Sequence, residues 1–406
     1  MSIYPWVDEI IIVDTGSTDR TPEICRSFGA RMFEFPWCDD FSAARNGSLN
    51  YARGEWIFWM DSDDVISQEQ GRKLRELVYG NHSPDCFGYV AQVHCESSEP
   101  GQLTIVDHIK VFRNLPELRF EHRIHEQILP AISRSGGNVV FTDIHVIHKG
   151  SIQTPEVRQR KLERDFRILA KDLEDRPDHP FVLFNLGMTH EDAGEYQLAE
   201  GFLRRSIEVA ADGESHLGKT WALLANCLRQ QGRTAEAITT ISAALSQFPG
   251  DKELLFRRAT LYQDAGQLNE AAADYDRVLH EAVDKVFQSV DRGITGFKAR
   301  HNLALTLKDL DQLDEAAAQW QASISDCRPF SPAWNGLGRL HAQRGHWDSL
   351  RELLAVMPDD RCFQATRAIL TAFELDSRND GLGVQRVLEL AWNGTGDPMR
   401  IRCAES

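Results

Sequence analysis

Residues 8–24, DEIIIVDTGSTDRTPEI, pass from an apolar run through a polar turn into a helical pattern. The run predicts a buried β-strand over Asp8–Val13, and Asp19 with Pro22 predicts the first turn of a helix. A second apolar run, Trp56–Met60, ends in acidic residues. Further β-rich runs follow at 87–94, 105–112 and 139–148. Alternating strands and helices predict an α/β domain over residues 1–150.

From about residue 151 the sequence becomes a series of amphipathic helices with regularly spaced turns. The spacing fits a period of about 34 residues with two insertions, which is the length of a tetratricopeptide repeat. The turns fall at Gly194, Gly232, Gly266, Asp311 and Gly345. We therefore predict about five such repeats over 179–360, stacked as an all-α solenoid. A connecting helix in 151–178 precedes them, and a helical cap with a loose tail in 361–406 follows.

The composition excludes several classes of protein. The chain has 406 residues and a formal net charge of −16, which argues against binding to nucleic acid or to an acidic membrane surface. No apolar run is long enough to span a membrane, and the N-terminal residues do not resemble a secretory signal. The eight cysteines lack metal-ligand spacing and are typical of reduced thiols. We expect a cytoplasmic location.

Acidic side chains follow two of the predicted strands. Asp14 comes directly after the first strand, and Asp61, Asp63 and Asp64 come after the second. Ligands of open α/β sheets bind beyond the carboxyl ends of the strands. Closely spaced carboxylates at such an end suit a hard divalent cation that bridges a diphosphate.

Three other interpretations of these two acidic segments are weaker. The segment IIIVDTGS resembles an aspartic-protease signature, but the chain has no second DTG to supply the partner aspartate. The segment IFWMDSDDV fits a haloacid-dehalogenase-like phosphatase with Asp61 as nucleophile, but the downstream residues of that family are not evident. A calcium-binding EF-hand is excluded, because Val65 and Ile66 replace an oxygen ligand and a glycine.

Three blocks in order carry a more specific resemblance: DEIIIVDTGSTDRTPEI, then PWCDDFSAARNGSL, then ARGEWIFWMDSDD. Together they strongly resemble the family 2 glycosyltransferases, particularly the bacterial group joined to tetratricopeptide repeats. The resemblance covers about residues 5–150 and then the repeats. It implies a GT-A-like fold with a mixed sheet, a nucleotide-diphosphate sugar donor such as a UDP-sugar, Mn²⁺ or Mg²⁺, and inversion at the anomeric carbon.

The resemblance also implies roles for individual residues. Asp14 matches the aspartate that binds the nucleobase, and Arg45 matches an arginine near the donor nucleotide. Asp61 and Asp63 match the DxD motif, with Asp61 facing the ribose and Asp63 holding the metal. Asp64 is expected to tune or cap the turn. An arginine at position 45 that only covers its own helix is the alternative for that residue.

A second group of site residues lies in FEHRIHEQI (120–128) and HVIHKG (145–150). By the family match, His148 is the candidate for a further metal ligand and Glu126 for the general base. An inverting transfer needs one group within hydrogen-bond reach of the acceptor nucleophile. Glu121 and His125 remain alternatives for the base, and Glu126 as a structural partner of Arg123 or His125 remains the alternative for its role.

The family pattern begins before Pro5, so we expect that one strand and one helix are lacking. Ile10–Val13 would then have no parallel neighbour and would expose backbone groups. Two functions follow as hypotheses. One is a metal-dependent inverting sugar transferase whose repeats help to position a peptide, protein or glycan acceptor. The other is a catalytically impaired interaction scaffold whose repeats bind a protein partner.

Overall fold

The structure, a computed structural model, describes residues 2–96, 103–150, 154–281, 287 and 289–395. The chain divides into two units. The first comprises the chain to Thr240 with a short stretch ending at Val290, and the second comprises most of the chain from Ile241 onwards. The predicted loose tail beyond residue 395 lies outside the described residues.

The strands belong to two sheets. They are β1 (Ile11–Asp14), β2 (Arg31–Glu34), β3 (Trp56–Phe58), β4 (Asp64–Val65), β5 (Cys86–Glu96), β6 (Leu103–Arg113), β7 (Asn138–His148) and β8 (Ser289–Asp291). β1 and β2 form a parallel pair, and the larger sheet has the order β3-β6-β5-β7-β4 with β8 beside β6. In the larger sheet β5 and β7 are parallel, whereas β3–β6, β5–β6 and β4–β7 are antiparallel. The mixed sheet that the resemblance implies is therefore present.

Within the described part of the chain, β1 pairs along one of its two edges. It pairs with β2, and within the described residues it does not pair with β3. The prediction that Ile10–Val13 lack a parallel neighbour is thus wrong for the edge that faces β2. A cavity of about 240 Å³ is lined by residues of β1, β3 and neighbouring helices, among them Ile11, Leu49, Ile57 and Leu74.

The helices of the first unit are α1 (Thr21–Ser27), α2 (Phe41–Leu49), α3 (Gln68–Tyr79), α4 (Leu129–Arg134), α5 (Pro155–Asp175), α6 (Pro180–Asp192), α7 (Tyr196–Val209), α8 (Leu217–Gln230) and the first half of α9 (Thr234–Gln247). The boundary between the two units falls within α9, after Thr240. Apolar residues cover both faces of the large sheet, because alternate residues of a strand point to opposite faces. Val90 packs with Ile132 of α4 on one face, and Tyr89 and Ala91 pack with Leu74 of α3 on the other.

The second unit continues the helical series with α10 (Lys252–Asp264), α11 (Leu268–His280), α12 (Phe297–Asp309), α13 (Leu313–Asp326), α14 (Ser331–Gln343), α15 (Trp347–Val356), α16 (Gln364–Asp376) and α17 (Gly381–Thr395). Each turn predicted from the repeat lies between the two helices of a pair, and its residue has a positive φ: Gly194, Gly232, Gly266, Asp311 and Gly345. Asp311 is the only one of these with a side chain, and aspartate is among the residues that tolerate this backbone region.

Buried side chains fall at the predicted repeat positions. Leu224, Ala237 and Ala244 are almost fully buried in α8 and α9, as are Trp334 and Leu337 in α14. Small residues at these places let paired helices approach closely. A search of the described helices finds none that is long and apolar enough to cross a membrane.

Candidate functional site

Asp61 and Asp64, the two ends of the turn after β3, are hydrogen-bonded to each other. The backbone N–H of Asp64 donates to the carbonyl of Asp61 at 3.1 Å, and the N–H of Asp61 donates to Asp64 Oδ2 at 3.1 Å. Asp64 then begins β4, which pairs with the end of β7 so that Asp64 lies opposite His148. The expectation that Asp64 caps the turn is therefore confirmed.

The end of β7 brings an imidazole to this turn. His148 Nδ1 lies 3.1 Å from Asp64 Oδ1 and 3.5 Å from Asp63 Oδ1. Ligand atoms of Asp61, Asp64 and His148 all lie within 4.8 Å of one another. These three groups, with Asp63 beside them, lie close enough together to form a cation site.

Gly150 makes room for these groups. A Cβ at position 150 would overlap the Asp63 carboxylate and would lie 3.2 Å from His148 Nε2. The backbone N–H of Lys149 also donates to the carbonyl of Asp63 at 3.0 Å. The absence of a side chain at position 150 therefore leaves open the space that Asp63 and His148 both face.

A buried lysine fixes Asp64 from the opposite side. Lys110 on β6 donates to Asp64 Oδ2 at 2.8 Å, and the two side chains are 1% and 0% exposed. Burial lowers the pKa of Lys110, against the opposing effect of the Asp61 and Asp64 charges. The ammonium also lies 3.6 Å from the centroid of the Trp59 ring.

Arg45 links the turn to the loop that carries Glu126. Its Nε donates to Glu126 Oε1 at 2.7 Å and its Nη2 to Asp61 Oδ1 at 3.1 Å; Nη2 also contacts the same Glu126 oxygen. Its guanidinium lies 4.0 Å from the centroid of the Trp59 ring. Burial opposes the charge of Arg45, but the Glu126 and Asp61 carboxylates hold its pKa above the ordinary value.

Local structure explains how Arg45 and Glu126 meet although they are far apart in the sequence. Asp40 caps α2 by accepting the N–H of Ala43 at 2.8 Å, which places Arg45 one turn into the helix. The next residue, Asn46, bonds to both the N–H and the carbonyl of Phe120, at 2.8 and 2.9 Å. The loop that carries Glu126 is thereby fastened to α2.

The carboxylates of the site differ in exposure. The side chains of Asp61 and Asp63 are each 42% exposed, whereas that of Asp64 is fully buried and that of Glu126 is 11% exposed. Burial would raise the pKa of Asp61, but the charges of Lys110 and Arg45 hold it below the ordinary value. Asp61 therefore stays ionised at neutral pH.

The two alternatives for the base lie in different surroundings. The Glu121 carboxylate pairs with Arg134, and its backbone pairs with Gln127. His125 has a positive φ of 55°, and burial lowers the pKa of its imidazole, so the ring is neutral near pH 7. The alternative in which Glu126 pairs with Arg123 is not what the structure shows, because Arg123 bonds to Asp175.

The structure brings five of the six predicted site residues together: Arg45, Asp61, Asp63, Glu126 and His148. The sixth, Asp14, is half-buried at the end of β1 and accepts hydrogen bonds from the N–H and hydroxyl of Ser17, the latter at 2.6 Å. Among the described residues, no hydrogen bond or ion pair connects it with the other five.

Three residues of the site were not predicted. Lys110, Trp59 and Gly150 each contact the carboxylates or the cations that hold them. A lysine inside the apolar run IKVF is a usable signal, since a lysine is almost never fully buried without a partner. The other two carry no comparable signal in the sequence.

Comparison with known proteins agrees with this architecture. The model of the family "Glycosyl transferase family 2" matches residues 4–138, and two tetratricopeptide-repeat models match residues 178–249 and 228–290. A "TPR repeat-containing protein" of Synechococcus elongatus is 30% identical over 280 residues, which cover 66% of this chain and 68% of that protein.

Two further similarities are weaker. The SPbeta prophage-derived glycosyltransferase SunS of Bacillus subtilis is 26% identical over 264 residues, covering 63% of this chain and 61% of SunS. A solved tetratricopeptide repeat protein from Parabacteroides merdae is 17% identical, with a TM-score of 0.42 over 61% of this chain and 92% of that one. On the family models and the relatives, the chain is a glycosyltransferase that carries a family 2 glycosyltransferase domain followed by tetratricopeptide repeats.

Proposed function

We propose that the chain is a metal-dependent, inverting glycosyltransferase that uses a nucleotide-diphosphate sugar, with a UDP-sugar as the expected donor. The observation that carries this proposal is the group formed by Asp61, Asp64 and His148 after β3, with Asp63 and Arg45 beside it. The reaction type follows from the family, and each residue of the site is assigned its own role.

The donor set fits a divalent cation such as Mn²⁺ or Mg²⁺. Carboxylate oxygens are the ligands that these ions prefer, and an imidazole suits Mn²⁺ as well. Asp63 and His148 would hold the ion, with Asp61 next to them, because Gly150 leaves open the space that Asp63 and His148 face. Asp64 is already bonded to Lys110, to the backbone of Asp61 and to His148, so it orients the imidazole instead. When bound, the ion would stabilise the charge that develops on the leaving diphosphate.

Arg45 and Asp61 would hold the donor nucleotide. The fixed charge and planar fork of an arginine suit phosphate and base contacts. The aromatic rings of Trp59 and Phe120 support the guanidinium, at 4.0 and 5.3 Å from their centroids, so that its position is set before the donor binds. Asp14, at the end of the neighbouring parallel pair, is proposed to bind the nucleobase.

Glu126 is proposed as the general base. Both contacts from Arg45 use Oε1, which leaves Oε2 as the oxygen that can accept a proton from the acceptor nucleophile. The nucleophile then bonds to the anomeric carbon as the bond from that carbon to the diphosphate breaks, which inverts the configuration. The neutral imidazole of His125 is the alternative acceptor of this proton.

The repeats are proposed to bind or orient the acceptor. Stacked helix pairs form an extended surface that suits a peptide or a protein. This favours an acceptor of that chemistry over a free glycan, and the repeat surface is equally available to a protein partner.

Hydrolysis of UDP-sugars in the presence of Mn²⁺ tests this function. We expect turnover that chelation abolishes and that Asp63→Ala reduces by about 100-fold or more. Asp143→Ala, an exposed aspartate of the same domain paired with Lys73, is the matched control and should keep wild-type turnover.

A second pair of variants separates the roles. Glu126→Gln should keep donor affinity while it lowers transfer to the acceptor, and His125→Gln should do so only if the imidazole is the base. Turnover that ignores chelators and survives Asp63→Ala would contradict the metal role. A wild-type protein that binds no donor would leave the interaction scaffold as the function.

A further inference from the structure

Trp59 carries two cations on one ring. The Lys110 ammonium lies 3.6 Å and the Arg45 guanidinium carbon 4.0 Å from the centroid of its indole. The indole itself is held in place, because its Nε1–H donates to the carbonyl of Ile109 at 2.6 Å and its backbone N–H donates to the carbonyl of Lys110 at 3.1 Å. The ring is thus a fixed platform on the strand pair β3–β6.

Each of the two cations holds a different carboxylate of the 61–64 turn. Arg45 bonds to Asp61 at 3.1 Å, and Lys110 bonds to Asp64 at 2.8 Å. Asp63, between them, receives neither cation, and its carboxylate faces His148. The two cations on the Trp59 ring therefore offset the charges of Asp61 and Asp64, and neither of them pairs with Asp63.

The contact between Lys110 and Asp64 also connects to His148. Asp64 Oδ2 faces Lys110, while its other oxygen faces His148 Nδ1 at 3.1 Å. An imidazole whose one nitrogen is bonded to a carboxylate has a fixed orientation. The contacts run in sequence from Trp59 through Lys110 and Asp64 to His148.

A purely stabilising origin does not explain this arrangement. Two like charges on one ring repel each other, and burying an ammonium as fully as that of Lys110 is unfavourable unless its partners hold it. Apolar side chains at both position 110 and position 64 would fill the same space without these penalties. The arrangement makes sense where the orientation of the carboxylates matters.

We propose that Trp59 and Lys110 are positioning residues that preorganise the turn and His148 for the divalent cation. This inference rests on the proposed function, because the cation is part of it. Neither residue needs to touch the cation or the donor. Their effect is expected on metal affinity first and on turnover as a consequence.

The experiment measures Mn²⁺ affinity of metal-free full-length protein by calorimetry, together with thermal unfolding. Lys110→Met and Trp59→Leu should each weaken Mn²⁺ binding by about 10-fold or more in the folded protein. Lys110→Arg and Trp59→Phe, which keep the charge and the ring, should stay within about threefold of wild type. Kinetics at saturating Mn²⁺ should restore much of the kcat of Lys110→Met.

A matched control lies on the same strand pair. Trp56 of β3 carries the Arg113 guanidinium at 4.8 Å on the opposite face of the sheet, away from the turn. Trp56→Leu should lower the unfolding temperature and leave Mn²⁺ affinity unchanged. This control separates loss of packing from loss of positioning.

The outcomes are distinct. If wild type binds Mn²⁺ and Lys110→Met and Trp59→Leu bind it equally well, this inference is overturned while the proposed function stands. If Lys110→Met and Trp59→Leu do not fold, Lys110→Arg and Trp59→Phe decide the question. If these two conservative variants unfold at the wild-type temperature but bind Mn²⁺ about tenfold more weakly, the inference is also overturned. If wild type binds no Mn²⁺, the metal role in the proposed function fails, and this inference fails with it.

Discussion

Two regions of the molecule bury ion pairs, and their charge balance differs. At the end of β3, two cations face four carboxylates: Asp61, Asp63, Asp64 and Glu126. Between α10 and α11 of the repeats, the guanidinium groups of Arg258 and Arg277 face the carboxylates of Asp274, which is buried, and Glu281. Arg258 bonds to both oxygens of Asp274 at 2.6 and 2.8 Å, and Arg277 bonds to Glu281 at 2.7 Å, so the charges of the repeat group are matched.

The difference separates structure from function. A buried ion pair whose charges are matched connects two helices and needs no further ion. A group with excess negative charge is unfavourable unless a further cation joins it. We therefore infer that the α/β domain is built to receive a cation and that the repeat pair is built to hold its helices together.

The largest effect is expected from Arg45→Met. The change removes the cation shared by Asp61 and Glu126, so these carboxylates repel each other and the donor loses its guanidinium. Donor hydrolysis should fall by about 100-fold or more. Steady-state kinetics measures this, and a variant with wild-type kcat/KM would show that Arg45 only covers its helix.

Arg258→Met makes the same change in the repeats. It leaves the buried Asp274 with only the more distant Arg277 at 3.7 Å, so the free energy of unfolding should fall by about 3–5 kcal/mol. Denaturant unfolding measures the loss, while kcat/KM per folded molecule should be unchanged. A fall in kcat/KM of the folded variant would remove the distinction between the two regions.

A smaller effect is expected from Gly150→Ala. The added methyl group would overlap the Asp63 carboxylate, so Mn²⁺ affinity should weaken by about 10-fold. Gly201→Ala, in a helix where a Cβ meets nothing within 4 Å, is the control and should bind Mn²⁺ as wild type does. Calorimetry compares the two, and equal affinities would place the cation away from Gly150.

The smallest difference between the regions is expected from pH. Burial lowers the pKa of His122 in the first unit to about 3, with His179, Arg176 and His216 adding to the effect, and it lowers that of His301 in the repeats to about 4. The unfolded chain then binds more protons than the folded one below about pH 6.5, so stability is full above that pH and falls as the pH drops towards 4.

Each of these histidines should contribute a loss on the order of 2 kcal/mol by pH 5. His122→Gln and His301→Gln should each flatten the dependence of unfolding free energy on pH. His122 also lies 3.8 Å from the buried Asp172, and burial raises the pKa of that carboxyl. Asp172 therefore takes up a proton more readily in the folded chain, which partly offsets the loss of stability caused by His122 as the pH falls. A wild-type protein equally stable at pH 5 and pH 7 would contradict the burial of neutral imidazoles.

The sequence predicted the repeats well because their signal is local and periodic. The turn at Asp311 was identified from spacing alone, without a glycine, and its φ of 62° agrees. The α/β domain was identified from three blocks, and its strands fall close to the apolar runs. The two-residue strand β4 was not predicted, because its pairing with β7 depends on residues more than 80 positions away.

The site was only partly predictable for the same reason. Arg45 and Glu126 are 81 residues apart and Lys110 and Asp64 are 46 apart, so no local pattern shows which cation meets which carboxylate. Neighbouring aspartates also look alike in the sequence, although Asp64 is fully buried and Asp63 is 42% exposed. Strand register, which depends on the whole sheet, decides between them.

The most direct test of the cation site is anomalous scattering from crystals soaked with Mn²⁺ and UDP. The account predicts a manganese peak bound by Asp63 and His148, with the diphosphate next to it and Arg45 near the nucleotide. A peak held by other residues, or bound UDP with no manganese beside the turn after β3, would contradict it.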